Sequence, residues 1–567
     1  MFKATIDVPI MTTKVAKQRV AVLDHAVVKP PIVLLIFAAS LTLYWLTRTH
    51  LNTFDAVAYA NQIGLAAQTG KWRPLFHPHH LLFNALGYGL WQIVRAIGYN
   101  DGPLIVTQSL NAALGAIGLA LYYALLKRLS PGAGLLPTLL CLGLAGSFGY
   151  WICATDGRVN MPSAVLLLAA FLALLRLREQ PGMGRAAFAG MLAGAAVLFH
   201  QSAGLFVLVG VAAMLLFASD PCRRLHLLSA YSAAWGITVA APYALVAVFA
   251  LHLRSLADFR HWANSYSEVG WWWDFHIFRN LRLDLSGLRH AVFVEPLGRA
   301  ALAQTPLRSL GTTALALEWL LYLGALAGLA AFVGVIAAAL PRLRRSPEWP
   351  VTFLCLLWLG LYAAFFTVWC PGAFVFWVPA LLPLGILLLL SLRLINPLGR
   401  RTADALGGWI AIYAALNLLA GITPYLKPVA GISQRVAADI HAHTPPRALI
   451  LVAGIGDDAQ CEVDIPYFAN RPVLSLHQIL AHTNDLPDAQ AAIQSSLTRA
   501  FGANRQVYLL DEPWENTRTV AALRHQRQEI TPDALKTLFA PYHPLPAWRG
   551  PRGIVYRLSL SRQVALL

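Results

Sequence analysis

Residues 52–83 read NTFDAVAYANQIGLAAQTGKWRPLFHPHHLLF, a polar stretch that follows the first long apolar run of the chain. Thr53 is placed to cap a helix whose first turn carries Asp55, since a threonine hydroxyl accepts an orphan backbone N–H. Asp55, Tyr59 and Gln62 recur at i, i+4 and i+7 and share one face of that helix. Gly70 ends it, and Trp72-Arg73-Pro74 leads into the histidine-rich turn His77-Pro78-His79-His80. A carboxylate at a helix start is explained by the helix dipole alone. Its address favours a functional role: a polar helix beside a membrane surface, with His77 and His80 next to it in sequence.

Of the 567 residues, 57% are hydrophobic and only 13% charged, with a mean hydropathy of +0.56. A soluble protein carries about a quarter charged residues. Apolar runs recur that are long enough to cross a ~30 Å hydrocarbon core. The chain therefore reads as an α-helical polytopic membrane protein. Its formal charge of +17 sits in short loops between apolar runs, the pattern of cytoplasmic loops facing anionic headgroups rather than of nucleic-acid binding. Cys141, Cys153, Cys222, Cys355, Cys370 and Cys461 show neither the paired spacing of a disulfide framework nor that of a zinc site.

Residues 1–30 form a mildly basic tail, and the run 31–46 reads as a retained anchor rather than a cleaved signal. Further apolar runs fall at 104–126, 134–152, 160–175, 186–199, 203–218, 228–251, 314–340, 351–369, 374–392 and 406–423, giving about eleven spans in a module covering 31–423. The run 81–97 is short and contains Asn84, Gln92 and Arg95. Only if it lies along the interface do Lys127-Arg128, Arg223-Arg224, the arginines of 342–345 and Arg400-Arg401 all fall on the side of the basic tail, as positive-inside bias requires. The N-terminus is then cytoplasmic, and three loops face outward together: 47–103, 154–160 and 252–313. The third is rich in tryptophan, including Trp271, Trp272 and Trp273, which suit an aromatic belt or a lid over an acceptor site. From residue 424 the apolar runs shorten to strand length, at 448–454, 472–476, 506–511 and 554–560, so 424–567 reads as an extracytoplasmic α/β domain. Gly454-Ile455-Gly456 lacks the third glycine of a phosphate-binding fingerprint and reads as a strand-to-helix turn.

Two carboxylates, Asp55 and Asp156, thus lie in outward loops together with Arg158, His200 and the histidine turn. A carboxylate beside several cationic donors suits transfer of a group from a phosphate-bearing lipid: the base takes the proton of an incoming hydroxyl, and the cations stabilise the departing phosphate. Arg158 and His200, at the outer ends of neighbouring spans, are the expected donor-phosphate ligands. With His200 as a ligand, that binding is expected to depend on pH near neutrality. His77, His79 and His80 with either aspartate could supply ligands for a divalent cation such as Mg²⁺ or Mn²⁺, although their spacing matches no standard zinc motif, and no cofactor is expected to be obligatory.

The order of these features resembles the GT-C glycosyltransferases, which include protein mannosyltransferases and lipid A aminoarabinose transferases. The resemblance rests on the first span, on Phe54-Asp55-Ala56-Val57-Ala58-Tyr59 followed by His77-Pro78, on Lys127-Arg128-Leu129-Ser130, on Ala154-Thr155-Asp156, and on the stretch GMLAGAAVLFHQSAGL at 190–205. There His200 stands where the family often has lysine. It covers the first 220 residues best. The stretch Trp369-Cys370-Pro371-Gly372-Ala373-Phe374 departs from the basic or tyrosine-containing pattern the family often shows before that late span. The resemblance implies an inverting enzyme that moves a hexosyl or pentosyl group from a polyprenyl-phosphate-linked sugar to a lipid, glycan or protein hydroxyl at the outer face of a bacterial-type inner membrane. It also implies Asp55 as catalytic base and Asp156 as the second catalytic carboxylate. Two other readings compete: a non-catalytic scaffold for envelope assembly, which would tolerate loss of Asp55, and a secondary transporter, disfavoured because no internal repeat is found.

Overall fold

The structure, a computed structural model, describes residues 30–218, 220–268, 273–297, 311–395, 400–426, 431–483, 485–511, 513–526 and 529–559. Each of the eleven apolar runs is helical. Among the described residues, seven helices are long and apolar enough to cross a membrane: Leu104–Leu129, Asn160–Glu179, Pro221–Ala250, Thr312–Leu343, Trp349–Phe366, Phe374–Ile395 and Arg401–Tyr425. Leu136–Gly146 and Phe148–Thr155 form an eighth candidate, bent by 61°. Pro30–Leu46, Met183–Phe199 and Gln201–Phe217 are shorter apolar helices. The chain is a multi-pass membrane protein.

For the site, the elements that matter are α1 (Pro30–Leu46), α2 (Phe54–Thr69), α3 (Phe83–Ala96), α4 (Leu104–Leu129), α5 (Leu136–Gly146), α6 (Phe148–Thr155), α7 (Asn160–Glu179), α8 (Met183–Phe199), α9 (Phe206–Phe217) and α10 (Pro221–Leu245). The segment expected to lie along the surface is α3, whose 14 residues fall short of the ~20 a span requires. Its buried positions Phe83, Asn84 and Gly87 line one side, and Ile93 is exposed.

Small residues set the close approach of α8 and α10. A Cβ at Gly190 would lie 2.2 Å from the carbonyl oxygen of Tyr231, and one at Gly194 would lie 2.9 Å from that of Trp235. This small-xxx-small pair lets two helix backbones pack where hydrophobic burial gives no drive in lipid. It also fixes the end of α8, where His200 stands. Between the 221–250 and 312–343 helices, α11 (Leu256–Glu268) and α12 (Ile277–Val292) are helical. Asp284 on α12 accepts from Thr367 Oγ1 at 2.8 Å and from Gly372 N at 3.3 Å, pinning this loop to the turn before the 374–395 span.

The C-terminal domain contains a five-stranded sheet of order β2-β1-β3-β5-β4, where β1 is Leu449–Val452, β2 Val473–Ser475, β3 Val507–Leu510, β4 Leu545–Arg549 and β5 Ile554–Leu558. β1 pairs in parallel with β2 and β3, and β5 runs antiparallel to β3 and β4. Buried Ile450, Val452, Tyr508 and Leu510 pack on one face, and Leu451, Val507 and Leu509 on the other. Strand β4 was not expected. It is an exposed edge strand containing Pro546, which breaks the sequence signal and is tolerated only at an edge.

Candidate active site

The helix α2 starts and ends where the sequence indicates, with Gly70 left-handed (φ 65°) after its last residue. Its start is held differently. Thr53 makes no side-chain cap; its hydroxyl instead donates to Asp156 Oδ2 at 2.6 Å. A carboxylate is the stronger acceptor, and the bond ties the residue before α2 to the loop between α6 and α7.

Asp55, Tyr59 and Gln62 all face a single cavity of about 600 Å³, as their shared helix face requires. Its walls also include His77, His79, His80, Arg158, Asn160, His200, Trp369 and Cys370. Trp272 lies outside the described residues; its neighbour Trp273 packs edge-on against Trp369 at 4.9 Å, so the aromatic loop does reach the cavity wall.

Asp156 does not line the cavity. It is fully buried beneath it, between α6 and α7, where its Oδ2 accepts from Arg158 Nε at 2.9 Å and its Oδ1 from Gly157 N at 2.9 Å. Asn111 on α4 holds this loop from below, donating to the carbonyls of Asp156 (2.7 Å) and Arg158 (2.6 Å). The arrangement fixes the Arg158 guanidinium at the cavity wall and keeps it charged, because the Asp156 and Asp55 carboxylates raise its pKa against the cost of burial.

Asp55 is reached from the cavity yet ringed by protein. That enclosure pushes its carboxyl above the ordinary range; Arg158 pulls it back down, and Asp156 adds to the rise. A carboxylate of raised pKa is a stronger base than a free one. The Cys370 thiol, with φ 49°, is pushed up to about 11 by burial and by the Asp55 and Asp284 carboxylates, so it is not a thiolate nucleophile.

The histidines behave otherwise than expected. Burial, with His79 nearby, lowers His200 to about 4, so its ring is neutral near pH 7. Its Nδ1 shares a 2.7 Å hydrogen bond with Ser202 Oγ. His77 falls to about 3 and His79 to about 4, again mainly through burial, and His80 is also lowered. The His77 and His80 rings stack at 4.4 Å with planes 11° apart. Among the described residues no three His, Cys, Asp or Glu side chains gather to hold a metal ion. The polar pair His200-Gln201 has a clear structural use: Gln201 N donates to His79 O at 2.9 Å, and its Nε2 donates to Pro78 O at 2.8 Å, latching the histidine turn to the end of α8.

Four lining residues come from a part of the chain the sequence did not connect with the site. Glu462, Val463, Pro466 and Gln478 belong to the C-terminal domain and line the same cavity. The domain is fastened to α2 and its flanks: Asn61 Nδ2 donates to Val463 O at 2.8 Å, Gln460 Nε2 to Asn52 O at 3.0 Å, and Leu104 N to Tyr467 Oη at 3.3 Å. The available signal was the turn Gly454-Ile455-Gly456 at the carboxyl end of the first strand, because open α/β sheets present ligand-binding residues at that edge.

No protein-family model and no curated protein matches the sequence. The solved structures do: ArnT from Cupriavidus metallidurans in the apo state superposes with a TM-score of 0.57, and ArnT from the same organism bound to undecaprenyl phosphate with 0.54. Each is 13% identical to this chain, and each alignment covers 96% of this chain and 98% of the other. The likeness includes both the membrane module and the C-terminal domain, so the resemblance read from short motifs holds at the level of the whole fold: this chain shares its fold with ArnT.

Proposed function

We propose that the protein is an integral-membrane glycosyltransferase that moves a sugar from a polyprenyl-phosphate donor to a hydroxyl of a lipid, glycan or protein, at the outer face of an inner membrane, with its N-terminus cytoplasmic. The observation that carries this reading is one cavity in which a carboxylate of raised pKa, Asp55, shares the walls with a half-buried, charged guanidinium, Arg158. A fold shared over nearly the whole chain with a protein solved bound to undecaprenyl phosphate supports the donor class.

In this reading the donor phosphate rests against Arg158, and the neutral His200 and His79 rings can offer N–H bonds without adding charge. The acceptor hydroxyl approaches the anomeric carbon from the face opposite the phosphate. As its oxygen forms the new bond, Asp55 takes the hydroxyl proton, and the bond between the anomeric carbon and the phosphate oxygen breaks. The electron pair leaves with the phosphate, whose growing charge Arg158 stabilises. The configuration at that carbon inverts. Asp156 touches no reactant; it holds Arg158 in place.

A general base contributes a factor of ~10²–10⁴, so Asp55→Asn is expected to lose about that much kcat while inserting and folding normally. The amide keeps the side chain's shape, and residue 55 makes no bond that the fold needs. Well-folded Asp55→Asn protein transferring sugar at the wild-type rate would refute the assignment and bring the scaffold reading forward.

A further inference from the structure

The C-terminal domain offers more than a cover. The segments that follow its parallel strands β1 and β2 each supply a residue to the cavity lining, Glu462 after β1 and Gln478 after β2. This is the edge at which open α/β sheets bind ligands, because the backbone there is free of the ladder and helices begin beside it. Glu462 and Asp55 are the two carboxylates among the described cavity-lining residues.

The Glu462 carboxylate is held rather than loose. Ser475 Oγ, at the end of β2, is 3.0 Å from Glu462 Oε2, and the side chain of Gln478 bonds the same group. The chain makes room for this arrangement at Gly454, which has φ 72°; a Cβ there would lie 2.1 Å from Ser475 Oγ and 2.7 Å from Glu462 Oε2. Burial raises the carboxyl, and the two hydrogen bonds offset part of the rise. An ionised carboxylate has roughly four acceptor positions. Two are used within the domain, which leaves capacity for two more donors on the cavity side. No cation pairs with Glu462 among the described residues.

We infer that Glu462, braced by Ser475 and Gln478, is the group that recognises the hydroxyls of the donor sugar, so that the C-terminal domain reads the sugar while the membrane module holds its phosphate. The inference rests on the transferase reading above. An acceptor-only group facing a cavity suits a ring that carries adjacent O–H donors. A bare polyprenyl phosphate has nothing to offer it. The phosphate end at Arg158 and the sugar end at Glu462 then lie on different parts of the chain, and each can be altered without the other.

The test uses the full-length protein in lipid nanodiscs, with bare undecaprenyl phosphate and a panel of undecaprenyl-phosphate-linked hexoses and pentoses as probes. For the sugar that the wild-type protein binds best, Glu462→Ala is expected to raise the Kd about tenfold or more, the loss of a charge-assisted bond, while the Kd of the bare lipid stays within about twofold. Glu462→Gln, which keeps the shape and can still accept from Ser475, is expected to fall between and to change the rank order of sugars. Equal weakening of both probes would mean that Glu462 only supports the cavity, and unchanged sugar binding would mean that it faces no ligand; either overturns the inference and leaves the transferase reading standing. A wild-type protein that binds neither class of lipid and transfers no sugar overturns both.

Discussion

Replacing Asp156 with asparagine separates holding the donor from performing the chemistry. The carboxylate has three partners: Thr53 Oγ1 at 2.6 Å and Arg158 Nε at 2.9 Å on one oxygen, and Gly157 N at 2.9 Å on the other. In Asp156→Asn the remaining oxygen can stay with Gly157. The amide nitrogen then meets Thr53, which can turn its hydroxyl to accept, and the Arg158 Nε–H, which cannot. One charge-assisted bond is lost, and two donors face each other. A hydrogen bond to a charged group contributes about 1.5–3 kcal/mol, so the ordered position of Arg158 should weaken by roughly 10–150-fold. Kinetics with purified protein and a radiolabelled donor should show the donor KM rising by about that factor while kcat falls less than about tenfold. A loss of 10² or more in kcat with an unchanged donor KM would mean that Asp156 takes part in proton transfer, and the positioning role would be wrong.

In the wild-type protein, activity should fall on the acid side with a midpoint above the ordinary carboxylate range, because Asp55 works ionised and its pKa is raised, whereas the donor KM should stay flat from pH 6 to 8, since His200 titrates at about 4; a KM that climbs through pH 7 would contradict this. Asp464, 1% exposed, is pushed up to about 6 chiefly by burial, so its contribution to stability is present below the unfolded value of 3.8 and lost as pH rises through 6. Asp464→Asn should therefore stabilise the C-terminal domain by up to about 3 kcal/mol at pH 7.5 and by little at pH 4, measured by thermal unfolding at both; equal effects at the two pH values would refute it. Lys127→Cys should react with impermeant reagents from the cytoplasmic side only, and labelling from outside would refute the assigned sidedness.

Membrane residues were the most legible part of this chain. Helices coincide with all eleven apolar runs because, in a bilayer, length and hydropathy alone decide whether a segment can satisfy its own backbone. The face shared by Asp55, Tyr59 and Gln62 followed from helical spacing and survives as one wall of the cavity. What could not be read were partners chosen by tertiary contact. Nothing local tells Thr53 to bond Asp156 rather than its own helix. The sinking of Asp156 beneath Arg158 depends on Asn111, some 45 residues away in sequence. His200 reads as a titrating cation until its burial is known. Glu462 was invisible as a site residue because its relevance depends on how one domain docks on another.

That docking bears on biogenesis. Asn61 and Val463, which clasp across the cavity, are separated by 402 residues. At a synthesis rate of about 5–20 residues per second, the helix that carries Asp55 emerges roughly 20–80 s before the segment that must meet it. During that interval the membrane module is threaded, but its chamber stands open to water, with a carboxylate and a guanidinium facing an unclosed cleft. A contact of such separation is also among the costliest to close in loop entropy. The chamber is therefore sealed late, only once the segment around Val463 has been made and has met the helix that carries Asp55.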